Sequence, residues 1–268
     1  MALSQEEIRS AAERLDRAEK TRKQIRQLSL DHPGITIEDA YAIQNAWVEM
    51  KVAAGRVVKG HKIGLTSKAM QSALNIDEPD SGILLDDMFF ADGGLVPTDR
   101  FIATRIEAEL AFVMKTRLSG PGCTMFDVLN ATDFVVPALE ILDTRVERVD
   151  AQTRATRKIF DTIADNAANA GIVLGGRPVK PDAVDLRWVG ALLYKNGVIE
   201  ETGLAAGVLN HPAQGVAWLA DKIARHDEQL DAGDVVLAGS FTRPVTGSAG
   251  DSFHVDYGPL GAVAFRFA

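Results

Sequence analysis

A single cysteine, Cys123, stands in 268 residues, so no disulfide can form within the chain and a disulfide-stapled scaffold is excluded. It lies in the turn Pro121-Gly122-Cys123-Thr124 and reads as structural. No apolar run approaches the roughly 18 residues of a membrane span. Basic residues are the minority: 29 Lys and Arg against 37 Asp and Glu give a formal charge of −8, which argues against nucleic acid or an anionic membrane as a partner. The N-terminus is charged and helical in pattern, unlike a signal peptide, and the cytoplasm is the expected compartment. Several motifs are missing. There is no Gly-x-Gly-x-x-Gly after a strand, no phosphate loop ending in Gly-Lys-Ser/Thr, no Gly-x-Ser-x-Gly elbow and no His-Glu-x-x-His. The five histidines are scattered. Dinucleotide, nucleotide-hydrolase, serine-hydrolase and zinc-protease readings all lose their footing.

What is present is an ordinary globular composition, 46% hydrophobic and 25% charged, able to bury a core. The chain reads as one domain over 1–268, a helical region 1–56 packed on a β-rich core 57–268. Ser4-Gln5-Glu6-Glu7 matches a capping box and predicts a helix to about Gln27. A second helix is expected from Thr36 to Gly55, with Ile43, Ala46, Trp47 and Met50 as its apolar stripe. Phe160 to Gly171 reads as a capped helix. Asp185 to Gly203 reads as a β-hairpin turning at Asn196-Gly197, the preferred type I′ pair. Asn210 is expected to cap a helix running to about Arg225, and Asp234 to Ala238 is an apolar strand.

The chemistry centres on Arg105 to Val113. Alternation makes this a strand, with Ile106, Ala108, Leu110 and Phe112 on one face and Glu107 and Glu109 on the other. Two residues along a strand is about 6.5 Å, so the two carboxylates sit side by side. A solvated sheet face would account for them equally well. It does not account for Glu140, which lies in the apolar run Phe134 to Leu142 and needs a partner there. Three carboxylates without Cys or His suit a hard cation such as Mg²⁺ or Mn²⁺.

Lys62 is bracketed by Gly60 and Gly64 on a strand expected over Val57 to Ile63, followed by a short helix through Leu74. It is either a strand-edge lysine or an acid–base group whose pKa is lowered. His61 faces the other way and reads as structural. Asp80 falls in Glu78-Pro79-Asp80-Ser81-Gly82, a turn by composition. Residues 144–158 are charge-rich, either a solvated loop or a lid bringing positive charge to an anionic substrate. In Gly239-Ser240-Phe241-Thr242 the backbone amides can bind an anionic oxygen, or the loop is simply a tight connection.

Taken together, Lys59 to Ser67, Glu78-Pro79-Asp80, Glu107-x-Glu109, Pro137-Ala138-Leu139-Glu140 and Gly239 to Thr242 resemble the fumarylacetoacetate hydrolase superfamily, in its hydratase and decarboxylase branch. The likeness covers nearly the whole chain. It implies an α+β fold, a mixed β-roll or sandwich with peripheral helices. It implies Mg²⁺ or Mn²⁺ on Glu107, Glu109 and Glu140, and Lys62 with Asp80 as the acid–base pair. It also implies a small dicarboxylate substrate from aromatic ring cleavage and a homo-oligomer, pentameric or decameric. Gly239, Ser240, Phe241, Phe160 and Arg157 are the substrate-binding candidates, with Lys158 and Arg243 as further cations for a distal carboxylate. The hydrolase branch would need a His–Glu water-activating pair, and no histidine beyond His61 matches. A metabolite-binding protein without catalysis would need the carboxylates but not Lys62.

Overall fold

The computed structural model describes residues 2–68, 71–72 and 76–268. The expected helix through Leu74 therefore lies partly outside the described residues.

The N-terminal region is helical, as its caps dictate. The capping box of Ser4 and Glu7 opens α1 (Gln5–Thr21), and Arg22 closes it in the left-handed conformation. The helix is shorter than expected because residues 23–27 run extended to make a bridge between Ile25 and Val146. After α2 (Leu28–Asp31), a second capping box, Thr36 with Asp39, opens α3 (Ile37–Ala53). Ile8, Ala11, Leu15, Ile43 and Trp47 pack into one buried cluster between them.

The rest is β-rich. In chain order the strands are β1 (Val58–Gly64), β2 (Asp80–Leu85), β3 (Phe89–Phe90), β4 (Gly94–Val96), β5 (Arg105–Met114), β6 (Thr132–Leu142), β7 (Asn169–Leu174), β8 (Gly190–Lys195), β9 (Val198–Leu204), β10 (Val235–Leu237), β11 (Val245–Thr246), β12 (Ser252–Asp256) and β13 (Ala262–Phe267). One sheet follows the order β2-β1-β10-β5-β6-β7-β3, with β11 beside β5; a second follows β4-β13-β12-β8-β9. Pairing is mostly antiparallel, with parallel steps at β1–β10, β3–β7 and β4–β13, so the architecture is α+β with mixed sheets. The hairpin of β8 and β9 turns at Asn196 (φ 52°) and Gly197 (φ 80°), as expected.

The two faces of β5 have different neighbours. Ile106, Ala108, Leu110 and Phe112 join Phe253, Phe265 and Phe267 of the second sheet in the main core. The opposite face continues into a smaller apolar cluster of Leu84, Ala111, Val136, Ala138, Ile172, Val235 and Leu237. That cluster lies inside the curl of the first sheet. On a flat sheet β1 and β6, three strand spacings apart, would be about 14 Å from each other. The Lys62 ammonium of β1 nevertheless lies 3.4 Å from Glu140 Oε1 of β6, the long side chains and the curl of the sheet together closing the gap.

Three further sequence expectations need correction. Asp80, Ser81 and Gly82 form the start of β2 rather than a turn, paired with Gly64, Ile63 and Lys62. The helix expected from Phe160 to Gly171 stops early: α5 (Ile159–Ala164) follows α4 (Met125–Ala131) in the chain and gives way to left-handed residues and β7. The cap of α6 (Pro212–Ile223) is His211, whose Nδ1 accepts from the Ala213 amide, not Asn210.

Candidate active site

Register places the three acids. Glu107 stands opposite Glu140 in the β5–β6 ladder, and Glu109 opposite Ala138. One carboxylate oxygen from each of Glu107, Glu109 and Glu140 falls within 4.8 Å of the others. Glu140 is 0% exposed, as its apolar setting implied, and Glu109 is 1% exposed, so the solvated-face reading fails for Glu109. Burial, reinforced by Glu140, pushes Glu107 up to about 8, and burial with Glu140 and Glu107 pushes Glu109 well above the usual carboxylate range. Glu140 Oε2 is buried with no hydrogen-bond partner among the described residues. A fully buried carboxylate oxygen left open beside two more carboxylates fits a divalent cation bound by oxygen ligands.

Two of the three acids are held from behind. Asn169, at the start of β7, donates its amide to Glu140 Oε1 at 2.8 Å. The Gly239 amide donates to Glu109 Oε2 at 2.9 Å. The buried Tyr257 hydroxyl accepts from the Glu109 amide at 3.2 Å and donates to the Ala138 carbonyl at 2.5 Å, tying the two strands together beside Pro137. Asn169 and Tyr257 carried no mark in the sequence that singled them out for this task, because their contacts span 29 and 148 residues.

Lys62 and Asp80 meet the carboxylates from β1 and β2, both nearly fully buried. The Lys62 ammonium donates to the Ala167 carbonyl at 2.9 Å and faces Glu140 Oε1 at 3.4 Å. Burial alone would lower its pKa. Glu140, Asp80, Glu109 and Glu107 outweigh burial and hold it above the ordinary lysine range, the opposite of the sequence expectation. Burial raises Asp80 against the pull of Lys62. Gly64 makes this approach possible. A Cβ there would lie 2.2 Å from Asp80 Oδ1 and 3.0 Å from the Lys62 ammonium. His61 points away, buried, with its pKa lowered to about 4 by desolvation.

The carbonyl that Lys62 binds belongs to an unusual segment. Asn166, Ala167 and Ala168 all carry positive φ, at 51°, 49° and 58°. Left-handed backbone costs roughly 1–2 kcal/mol per non-glycine residue, so the surroundings must enforce it. They do. The Asn166 side chain accepts from the Ile83 amide at 2.7 Å and donates to the Ile83 carbonyl at 2.9 Å, imitating a neighbouring strand. Arg145, 1% exposed, ion-pairs with Asp165 and donates to the carbonyls of Asp165 (2.7 Å) and Asn169 (3.2 Å). Residues 144–146 are therefore a buried clamp, not part of a solvated loop.

The remaining candidates divide. Arg157 is partly buried, bonded to Thr144 Oγ1 at 2.9 Å, and its charge reaches Asp80. Phe160 packs at the edge of the N-terminal helical cluster. Lys158 is exposed, and Arg243, 83% exposed, pairs with Glu201. In the loop after β10, Gly239 and Phe241 commit their amides inside the protein, to Glu109 and to the Ala108 carbonyl, rather than leaving them free for a ligand oxygen. The Ser240 hydroxyl donates to the Thr242 carbonyl at 2.9 Å.

No protein-family model matches the chain. Individual proteins do. It is 66% identical over 256 residues, 96% of each chain, to the 2-oxo-hept-4-ene-1,7-dioate hydratase of Escherichia coli. It superposes with TM-score 0.94 and 36% identity on the 4-oxalocrotonate decarboxylase from Pseudomonas putida G7 complexed with magnesium and adipate, covering 100% of this chain and 99% of that one. The chain belongs to the hydratase and decarboxylase branch of the fumarylacetoacetate hydrolase superfamily. At 19% identity, a fumarylacetoacetate hydrolase family protein from Yersinia pestis CO92 shares the fold alone, with TM-score 0.59 over 79% of this chain and 94% of that one. The rolled sheet of this superfamily is what brings β1, β2, β5 and β6 around one buried point.

Proposed function

We propose that the protein is a metal-dependent hydro-lyase that adds water to 2-oxo-hept-4-ene-1,7-dioate and yields 4-hydroxy-2-oxoheptane-1,7-dioate, a step in the breakdown of homoprotocatechuate. The observation that carries the reading is the convergence of Lys62 and Asp80 on the open carboxylate Glu140. The 66% identity to a hydratase of that substrate supports it. Glu107, Glu109 and Glu140 hold the cation, Mg²⁺ in this reading, with Mn²⁺ suited to the same oxygen ligands. When bound, it supplies Lewis acidity toward the carboxylate and oxo oxygens of a 2-oxo acid.

The chain's own groups move the protons. An isolated alkene takes up water poorly, so a proton first leaves C3 and another arrives at C5, bringing the double bond into conjugation with the 2-oxo group. Water then adds at C4 and a proton reaches C3. Lys62 is the donor to C5 and Asp80 the base that takes the proton from C3; Asp80 then returns that proton to Lys62, which stands beside it over Gly64, and the restored pair takes a proton from water and delivers one to C3. Ala167 and Glu140 fix the lysine so that its ammonium stays at the reacting carbons. In this reading Gly239, Ser240 and Phe241 contribute from the Glu109 side and Arg157 from the Asp80 side, with Phe160 a further candidate for the substrate chain. The test is turnover of the Lys62→Ala and Asp80→Asn proteins, each expected to fall by about 10²–10⁴ while Mg²⁺ still binds.

Decarboxylation is the second reading, supported by the 0.94 superposition on a decarboxylase. Product mass separates the two. A cytoplasmic homo-oligomer completes the proposal. Leu192, Ile199 and Leu204 leave apolar side chains exposed on β8 and β9, suited to a second copy of the chain. No described helix is long and apolar enough to cross a membrane.

A further inference from the structure

Three arginines border the carboxylate row. Arg105 lies on β5, two residues before Glu107 and on the same strand face. Arg148 and Arg157 come from the segment between β6 and α5. There an antiparallel bridge pairs Val149 with Thr156, and the Arg157 amide donates to the Arg148 carbonyl at 3.0 Å. The two arginines are thus cross-strand neighbours, an arrangement that is unfavourable for like charges. All three are partly buried, and none forms an ion pair among the described residues.

Two of the nearby acids are committed elsewhere. Asp143 accepts from the amides of Ile102 and Ala103, and Asp165 is taken by Arg145. The only side-chain bond of Arg157 among the described residues is to the neutral Thr144 hydroxyl. Burial, then the charges of Arg157 and Arg105, pull Arg148 down to about 10. Half-desolvated cations crowded together without an ion-pair partner in contact cost free energy until an anion completes them. The cluster reaches both sides of the site: the charge of Arg105 acts on Glu107 and that of Arg157 on Asp80.

We propose that Arg105, Arg148 and Arg157 form the site for the far carboxylate of the substrate and select dicarboxylic over monocarboxylic 2-oxo acids. The inference rests on the 2-oxo acid reading given above. The step from Glu107 to Arg105 is about 7 Å along the strand, which an extended seven-carbon diacid spans when its 2-oxo end lies at the glutamates. Guanidinium forks match a carboxylate in two parallel hydrogen bonds, which a hydroxyl or an alkyl end cannot offer.

Calorimetric titration of the Mg²⁺-loaded protein with 2-oxoheptanedioate and with 2-oxoheptanoate tests this directly, since the two acids differ only in the far carboxylate. The wild type is expected to bind the diacid about 10- to 100-fold more tightly. Arg148→Gln should remove most of that preference, and Arg148→Lys, which keeps the charge but not the fork, should restore part of it. Thermal melts accompany each variant. Should Arg148→Gln not fold, Arg105→Gln and Arg148→Lys carry the same comparison. Equal binding of both acids by the wild type, or an undiminished preference in the folded variants, overturns the arginine site and leaves the hydratase reading standing. Binding of neither acid by the wild type overturns both.

Discussion

Gly64→Ala separates the geometry of the proton-transfer pair from its composition. The substitution leaves Lys62, Asp80 and all three glutamates in place. Its new Cβ would sit 2.2 Å from Asp80 Oδ1 and 3.0 Å from the Lys62 ammonium. Ordinary carbon–oxygen contact needs about 3.5 Å, so the Asp80 carboxylate must withdraw by more than an ångström. The backbone objects little, because Gly64 has no positive φ. Alanine there even narrows the unfolded ensemble, which offsets about 0.4–1 kcal/mol of the crowding. Because the obstacle is the end of a side chain rather than backbone, the protein should fold with Tm changed by a few degrees at most. Displacing a catalytic group by about 1 Å costs roughly 10²-fold in rate. We therefore expect kcat to fall about 100-fold, with KM and Mg²⁺ affinity changed less than about threefold. Steady-state kinetics, calorimetric metal titration and thermal melts read the three quantities. A kcat within a few-fold of wild type would refute the claim that Lys62 and Asp80 must stand together over Gly64. Loss of metal binding would refute the separation between that pair and the glutamates.

Further expectations follow from the same contacts. In EDTA, the raised carboxyls of Glu107 and Glu109 keep protons in the fold that the unfolded chain has lost. Stability of the metal-free protein should then fall as pH rises from about 4.5, the unfolded value, through about 8 for Glu107, because the folded state binds more protons over that window. Denaturant melts at pH 6 and pH 9 check this; equal stability at both would contradict the repulsion. Glu109→Gln should abolish the increase in Tm that saturating Mg²⁺ gives the wild type, and an undiminished increase would take Glu109 out of the ligand set. Asn166→Ala removes both hydrogen bonds to Ile83 and should cost about 2–4 kcal/mol, together with a lowered kcat as the Ala167 carbonyl loses its place under Lys62. Arg145→Met leaves Asp165 buried without its partner and should cost about 3–5 kcal/mol, measured by urea unfolding.

The sequence carries local information densely and long-range information thinly. The alternation of Ile106 to Phe112 declares both the strand and the shared face of Glu107 and Glu109, because strand period is a local property. The apolar setting of Glu140 likewise declares that it needs a partner, and Asn196-Gly197 declares its hairpin. Asp80 misleads because Glu-Pro-Asp-Ser-Gly composition signals a turn, while pairing with Gly64 and packing of Gly82 against Asn166 make it a strand. The helix expected through Gly171 fails for a related reason. Nothing near Asn166 reveals that its side chain will replace a strand beside Ile83, 83 residues away, or that Arg145 will seize the carbonyls on either side. The charge of residues 144–158 looks solvated by composition, yet Thr144, Arg145 and Asp150 are buried because the N-terminal segment folds over them. Tertiary contacts override local pattern at just those places where the site is assembled.

The most direct test of the account is the mass of the product formed from 2-hydroxyhepta-2,4-diene-1,7-dioate by the purified protein, with Mg²⁺ and with EDTA. A metal-dependent gain of one water, lost in Lys62→Ala, is the result expected. Loss of carbon dioxide, or no turnover in a protein that binds Mg²⁺, would contradict the assignment of Lys62 and Asp80 to hydration.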